Sequence, residues 1–481
     1  MNETKQYGHF ISGDFQVPSS DEYIESINPA DQSVVAKIAK GSRQDVNAAV
    51  SASKTASKAW AAMRPLNRGR ILVQLGRLLR ENLDMLSELE SKEMGMPLAA
   101  AQMTLSTAAE YFEYYGGLAP TLQGETIPVG PDQHSYTVYD PYGVVGVITP
   151  WNAPLNQSAR SIAPALAAGN CVVHKPSEHT SLTTLVFAEL AVAAGLPKDV
   201  WNVVTGYGDE VGDALVRHKD ISKVAFTGSV KTGQAIGAIA AEKIMTVTLE
   251  LGGKSPDIVF EDADLNAALM GVLFGFLGNS GQVCLAGSRV LIQRSIYDKF
   301  SEMLTNTVDM IGVGLDKPFP ALGPMGNKDQ YEKVLSYFDI AKEDGAKLLV
   351  GGEKAEGENL ENGFYLKPTI YGDVNNTMRI AREEIFGPVG VLIPFEDEAE
   401  AIAIANDTEY GLAAGIWTKD LSRAHRVAGQ IEAGQIYVNY YLESGVEHPM
   451  GGYKKSGIGR EKGMIALKQY SQTKNISIKL I

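Results

Sequence analysis

The chain has little cysteine and no stretch built to cross a membrane. Cys171 and Cys284 are its only thiols in 481 residues. Two cysteines exclude a disulfide framework and a cysteine-rich zinc site, and they fit a reducing compartment. No apolar run reaches the ~18 residues of a membrane span. The most apolar stretch, LMGVLFGFL from Leu269 to Leu277, is half that length and reads as a buried helix. The N-terminus, MNETKQYGHF, has no basic segment followed by an apolar one, so no signal peptide is expected and a cytoplasmic location is. Positive charge is also scarce. Lys and Arg number 43 against 57 Asp and Glu, a net charge of −14, which argues against nonspecific binding to nucleic acid or anionic membrane. Low-complexity segments, charge blocks and internal repeats are absent. What remains is ordinary globular composition, 44% hydrophobic and 21% charged, in a chain long enough for a large core. At about 150 residues per domain, two to four domains are expected.

Several chemical signatures are missing as well. HExxH, paired CxxC and other metal spacings do not occur, so no metal site is expected. The phosphate loop G-x-x-x-x-G-K-[ST] is absent, and none of the seven His falls in a recognisable nucleophile motif. The dinucleotide fingerprint G-x-G-x-x-G is missing too. Its nearest approach, Gly206-Tyr-Gly208-Asp-Glu-Val-Gly212, is one residue too long.

The hydrophobic pattern nevertheless gives an α/β protein. Residues 43–115 read as helices, with Ile71, Leu75, Leu78 and Leu79 on one face. From 138 onward, short apolar strands alternate with helices: VVGVITP (144–150), CVVHKP (171–176), WNVVTG and KVAFTGS, with helices ending near Gly169 and Gly195 and others over about 209–218 and 232–242. This alternation predicts a parallel, doubly wound sheet. A second α/β series starts near 251, with strands DIVF (257–260), SRVLIQ (288–293) and GQIYVN (434–439) and helices Asp264–Gly278, Ile296–Ile311 and Lys328–Asp344. Two pieces fit neither lobe. The 120–140 stretch is one, and the terminal SQTKNISIKLI, which alternates Ile476, Ile478 and Leu480, is the other. A lone strand has unpaired backbone groups, so this one should pair with 120–140 or with a neighbouring subunit.

Five short segments carry candidate chemistry. GNSGQVCLAGSR (278–289) puts Cys284 in a Gly- and Ser-rich turn, where backbone N–H groups can stabilise a thiolate, although a buried structural cysteine reads equally well. Cys171 opens an apolar strand and reads as core. LELGGKSP (249–256) ends a strand in Glu250, which is costly to bury without a role, and follows it with Gly252-Gly253, which lets backbone approach closely. TPWNAP (149–154) lies at the carboxyl end of a strand, the ligand edge of an open α/β sheet, and Asn152 offers an NH₂ donor for an oxyanion. KPSE (175–178) offers Lys175 and Glu178 for ribose hydroxyls. FTGS (226–229) places Gly228 and Ser229 at a helix N-terminus suited to a phosphate. Each also reads as an ordinary turn or surface carboxylate; together they put three ligand-binding turns at equivalent strand ends.

With these segments in this order, the chain resembles the aldehyde dehydrogenase superfamily from about residue 25 to 475. LELGGKSP and GQVC are the most specific motifs, and EEIFGPV (383–389) and PMGGYKKSGIGRE (449–461) add to them. The resemblance implies a Rossmann-like NAD-binding domain (1–119 and 141–250), an α/β catalytic domain (251–438) and a small β oligomerisation arm (120–140 and 462–481). By similarity, Cys284 is the nucleophile, Asn152 the oxyanion donor and Glu250 the base that hydrolyses a thioester, with Lys175 also among the catalytic residues. Thr149, Trp151, Lys175, Glu178, Gly206, Gly228, Ser229, Gln330, Lys333, Glu384 and Phe386 are the implied cofactor contacts. Glu178 would repel a 2′-phosphate, so NAD is favoured over NADP. A homodimer or homotetramer is implied. A CoA-acylating relative would not need Glu250, and a cofactor-free cysteine hydrolase would leave KPSE, FTGS and EEIFGPV unexplained.

The substrate is read from a few positions. Ala153 stands where many members have Phe and is a feature of several aromatic-aldehyde enzymes. Arg160 and Ser444 fall where succinate-semialdehyde dehydrogenases bind a carboxylate, and Gln157 shares a helix face with Arg160. Val283 and Leu285 flank the nucleophile as apolar walls. The expected substrate is therefore an aromatic aldehyde or a carboxylate-bearing semialdehyde. Arg160 remains either a substrate clamp or half of a structural ion pair.

Overall fold

The central strands of the first lobe, Val144–Ile148, Cys171–Lys175 and Lys223–Thr227, are buried along their whole length, so both faces must be covered, and helices cover them. In a computed structural model that describes residues 4–317, 321–442 and 445–480, five parallel strands lie in the spatial order Thr246–Glu250, Lys223–Thr227, Val144–Ile148, Cys171–Lys175, Trp201–Val203. The chain starts in the middle of this sheet, winds outward to one edge and then returns to fill the other. The order reverses between Val144–Ile148 and Lys223–Thr227, and ligands of doubly wound sheets bind at the crevice where this happens. TPWN leaves the first of these strands and FTGS the second, so topology sets both turns at the crevice. Antiparallel strands close the sheet: His9–Ile11 and Asp14–Gln16 on one edge, Gly457–Ile458 on the other.

The expected helices span Arg43–Ala62, Pro65–Glu81, Leu83–Met94 and Leu98–Leu118. The first starts at a capping box in which the Ser42 hydroxyl accepts from Gln44 N–H and Asp45 reaches back to the Ser42 N–H. On the second, Leu75 and Leu79 are fully buried while Ile71 and Leu78 are half-buried. Two acids of the third helix anchor the starts of two later helices. Glu90 accepts from Leu155 N–H at 3.3 Å, at the start of helix Pro154–Ala167. Glu93 accepts from the N–H groups of Leu182 and Thr183 at 2.8 and 3.0 Å, at the start of helix Leu182–Ala193. These two helices begin just after TPWNAP and KPSE, so both turns are fixed by side chains distant in sequence.

The second lobe is a seven-stranded sheet in the order Lys347–Val350, Thr369–Gly372, Val389–Phe395, Arg289–Gln293, Pro256–Val259, Ala413–Trp417, Gln435–Val438. It is parallel except for its first pair. Sequence periodicity located three of these strands. The terminal strand Ser471–Lys479 pairs antiparallel with Gln133–Pro141 over nine register positions, which settles the pairing within the chain.

Two expectations need correcting. Residues 463–469, expected to belong to an arm, form helix Gly463–Gln469, which buries Ala466 and Leu467 completely in the first lobe's core. The helix Leu265–Leu277 is not wholly buried: Met270 and Phe274 are 60% and 40% exposed. Its apolar run is longer than the one face the lobe covers. Among the described residues, no helix is long and apolar enough to cross a membrane.

Candidate active site

The nucleophile turn is built from backbone that ordinary residues avoid. Asn279 and Ser280 have φ of 50° and 55°, and Gly281 follows at 74°. A Cβ on Gly281 would lie 2.0 Å from the Gly387 carbonyl, so only glycine lets this turn seat on the EEIFGPV segment. Gln282 anchors the next residue: its Nε2 donates to the Asn279 carbonyl at 3.0 Å and its Oε1 accepts from Gly326 N–H at 2.8 Å. Cys284 then lines a cleft together with Trp151, Asn152, Gln157, Thr227, Gly228, Ser229, Gln330, Lys333, Glu384 and Phe386. The two fragments expected for nucleophile and oxyanion donor meet directly. Asn152 Nδ2 donates to the Gln282 carbonyl at 2.8 Å, and Asn279 Nδ2 donates to the Asn152 carbonyl at 2.8 Å.

Burial governs the ionisable groups. It pushes the Cys284 thiol up to about 12; Arg160 and a hydrogen bond from the Leu285 N–H oppose it, and Glu384 and Glu250 add to it. Glu250 is 2% exposed, and neither of its oxygens has a hydrogen-bond partner among the described residues. Burial first and Glu461 second raise its carboxyl to about 8, against the pull of Arg160 and Arg460. The surface-carboxylate reading of Glu250 is thus excluded. Cys171 is fully buried, as expected of core.

The Gly pair after Glu250 does what close approach requires. A Cβ on Gly252 would fall 2.4 Å from Glu384 Oε2, and one on Gly253 would fall 2.5 Å from the Cys284 carbonyl. Gly253 N–H donates to Glu384 Oε1 at 3.1 Å. These two residues therefore bring strand Thr246–Glu250, the EEIFGPV carboxylate and the nucleophile turn into contact. Gln330 Nε2 donates to the carbonyls of Ile385 and Phe386 at 2.9 and 2.8 Å, which holds Phe386 edge-on to Trp151 with ring centroids 5.6 Å apart. On the next strand, Lys175 Nζ donates to Glu178 Oε2 at 2.9 Å. Burial alone would raise the Glu178 carboxyl, but Lys175 holds it below the ordinary range. Ser229 caps helix Val230–Lys243 by accepting from Thr232 N–H.

Other expected residues lie elsewhere. The Thr149 hydroxyl bonds His174 Nε2 at 2.8 Å inside the core, so its side chain does not face the cleft. Gly206, at φ 140°, follows strand Trp201–Val203 and packs on Gly41 and Val211. Lys175 is paired with Glu178, and neither residue lines the cleft that holds Cys284 and Asn152. Ala153 packs on the cluster of Met94, Met96 and Ala101, and Val283 and Leu285 are half-buried. Gln157 is buried at the wall of the cleft, and its Oε1 has no hydrogen-bond partner among the described residues. Ser444 lies outside the described residues. Arg160 has the geometry of an ion pair: it is 3% exposed, pairs through Nε with Glu461, and donates through Nη2 to Thr227 Oγ1 at 2.9 Å.

Sequence reasoning assigned no role to Glu461, although it quoted the segment that holds it; a buried acid next to a glycine-rich turn was the available signal. It also missed Asn279 and Lys254. The Lys254 ammonium is buried with no hydrogen-bond partner among the described residues, and burial and Arg289 bring it down to about 7.

The Aldehyde dehydrogenase family profile matches residues 16–476. The chain is 45% identical over 482 residues to a betaine aldehyde dehydrogenase of Sinorhizobium fredii (strain NBRC 101917 / NGR234), covering 99% of this chain and 98% of that one. Among solved structures, the NAD+ complex of an aldehyde dehydrogenase from Bacillus cereus superposes with a TM-score of 0.97 at 41% identity, covering 99% and 97% of the two chains. A betaine aldehyde dehydrogenase from Staphylococcus aureus in complex with NAD+ superposes with a TM-score of 0.97 at 38% identity, covering 98% and 95%. With residues of TPWN, FTGS, LELGGKSP, GQVC and EEIFGPV lining one cleft and these likenesses running end to end, the chain belongs to the aldehyde dehydrogenase family.

Proposed function

We propose that the cleft oxidises an aldehyde to its carboxylic acid with NAD, through a covalent bond to Cys284. The observation that carries this is the shared cleft: Cys284 and Asn152 line the same walls as Gln330, Lys333, Glu384 and Phe386. The residues present fit a dinucleotide. Bare backbone at Gly228 opens a 14-residue helix, with no room for a side chain against Phe226, and Lys333 and the Lys175–Glu178 pair supply charge and ribose partners.

Cys284 loses its proton and its sulfur adds to the carbonyl carbon. The charge that develops on oxygen is met by Asn152 Nδ2 and the Cys284 N–H. NAD, when bound, supplies the acceptor for the hydride whose departure turns this adduct into a thioester on Cys284. Glu250 then takes a proton from the water that attacks the thioester carbon, and the acid leaves as the thiol re-forms. Burial matters here, because a carboxyl raised to about 8 is a stronger base than an exposed one. The ionised Glu178 repels a 2′-phosphate and favours NAD over NADP.

For the aldehyde, the aromatic class is the better fit of the two expected, and an apolar aliphatic body fits the same walls. Arg160 is already neutralised by Glu461, and Val283, Leu285 and Leu442 are half-buried apolar residues around the nucleophile turn. The name of the 45%-identical relative favours a second reading, betaine aldehyde. NADH formation at 340 nm across benzaldehyde, hexanal, succinate semialdehyde and betaine aldehyde tests both. Benzaldehyde and hexanal are expected to lead. Turnover confined to either charged aldehyde overturns the apolar reading, and no turnover on any overturns the reaction.

The arm supports self-association. Ile127, Val129, Ile478 and Leu480 are exposed on or beside its three-stranded sheet, and Met270 and Phe274 add a second apolar surface. A dimer or tetramer in a reducing, cytoplasmic setting fits these surfaces and a free nucleophilic thiol.

A further inference from the structure

The Arg160 guanidinium is tied down on three sides, and each tie leads to a wall of the Glu250 pocket. Nη2 donates to Thr227 Oγ1 at 2.9 Å, and Thr227 is the residue directly beside Glu250 in the parallel pairing of their strands. Nη1 reaches Met450 Sδ at 3.5 Å, and the next residue, Gly451, approaches Glu250 so closely that a Cβ there would lie 3.0 Å from Oε1. Nε pairs with Glu461, which Ser161 Oγ holds at 2.6 Å and which bridges back to Met450 through the backbone. Among the described residues, neither oxygen of Glu250 has a hydrogen-bond partner. Two buried acids, Glu250 and Glu461, therefore share one region of low dielectric, with a guanidinium held against one of them.

We propose that Arg160 is a positioning residue for the general base: clamped on Thr227, Met450 and Glu461, its guanidinium is the buried positive charge that offsets Glu461 behind the Glu250 carboxyl. This rests on Glu250 acting as the base, and it gives Arg160 a part in the reaction that neither a substrate clamp nor a passive ion pair has. Among the described residues, five ionisable groups interact with Glu250: Glu461, Arg160, Arg460, Cys284 and Tyr470. Glu461 raises its proton affinity, and the two arginines lower it. Arg160 also lowers that of the Cys284 thiol. Removing Arg160 leaves Glu461 unscreened, so both groups should hold their protons to higher pH. Removing Glu461 should do the opposite to Glu250.

The test is a set of kcat–pH profiles for wild type, Arg160→Met, Arg160→Lys, Glu461→Gln and the Arg160→Met/Glu461→Gln double variant, with iodoacetamide alkylation of Cys284 against pH on the same proteins. The kcat limb of Arg160→Met should move up by on the order of one pH unit, that of Glu461→Gln down, and the double variant should return toward wild type. Arg160→Lys keeps the charge but loses the fork, and should fall between wild type and Arg160→Met. The alkylation profile of Arg160→Met should shift up with no cofactor present. Limbs that stay in place in variants that fold and turn over overturn the proposal. Should Glu461→Gln not fold, Arg160→Met and Arg160→Lys decide it. A wild type with no Glu250-dependent limb would instead refute the reading of Glu250 as base.

Discussion

The raised carboxyl of Glu250 makes a prediction that can be worked through in numbers. With a midpoint at about 8, roughly one Glu250 in ten is ionised at pH 7, half at pH 8 and about nine in ten at pH 9. If hydrolysis of the thioester limits turnover, kcat should climb about tenfold between pH 7 and 9 and then level. Glu250→Gln keeps the shape and removes the base. It should lower kcat by about 10²- to 10⁴-fold, or about 3 to 5 kcal/mol of barrier. The first NADH per subunit should still form, because Cys284 and Asn152 are intact. Stopped-flow absorbance at 340 nm from pH 6 to 10 reads the burst and the steady rate separately. A Glu250→Gln variant that retains the alkaline limb, or one that loses the burst along with the steady rate, would refute the assignment. The same burial has a cost in stability. A carboxyl whose proton is held more tightly folded than unfolded favours the fold at low pH, and this contribution is lost as pH rises from the ordinary carboxyl range through about 8. Glu250→Gln should therefore melt no lower than wild type at pH 9.

Three further outcomes follow from the site and the arm. Asn152→Ala should lower kcat by about 10²- to 10³-fold with little change in cofactor binding, read by single-turnover kinetics and by NAD titration of protein fluorescence. Glu178→Gln should lower the KM for NADP relative to that for NAD, because the charge facing a 2′-phosphate is gone and Lys175 is freed; an unchanged ratio would remove Glu178 from cofactor selection. Sedimentation equilibrium should show a species larger than the 51.7 kDa chain, and deletion of residues 471–481 should weaken it.

How much of this was readable in the chain depends on distance. Local periodicity located the parallel strands of the first lobe, because most are short buried runs between turns, but not the antiparallel edge strands His9–Ile11, Asp14–Gln16 and Gly457–Ile458. It passed over Val389–Phe395 and Ala413–Trp417, although the second is buried from end to end and the first at every position but Pro394. Such runs look alike in strand or helix, and only their neighbours in the sheet decide between the two.

The sequence by itself determined the chemistry at hand: a cysteine in a glycine-rich turn, an acid ending an apolar strand before two glycines, and an amide at a strand's carboxyl end. These are statements about a few consecutive residues, and short-range sterics enforce them. Tertiary structure decided what the charges do. The roles of Arg160, Glu461, Glu90 and Glu93 depend on partners 60 to 300 residues away, as in the pairs Glu90–Leu155 and Ser161–Glu461. The energy of a charge depends on the dielectric around it and on the nearest opposite charge, and folding alone supplies both.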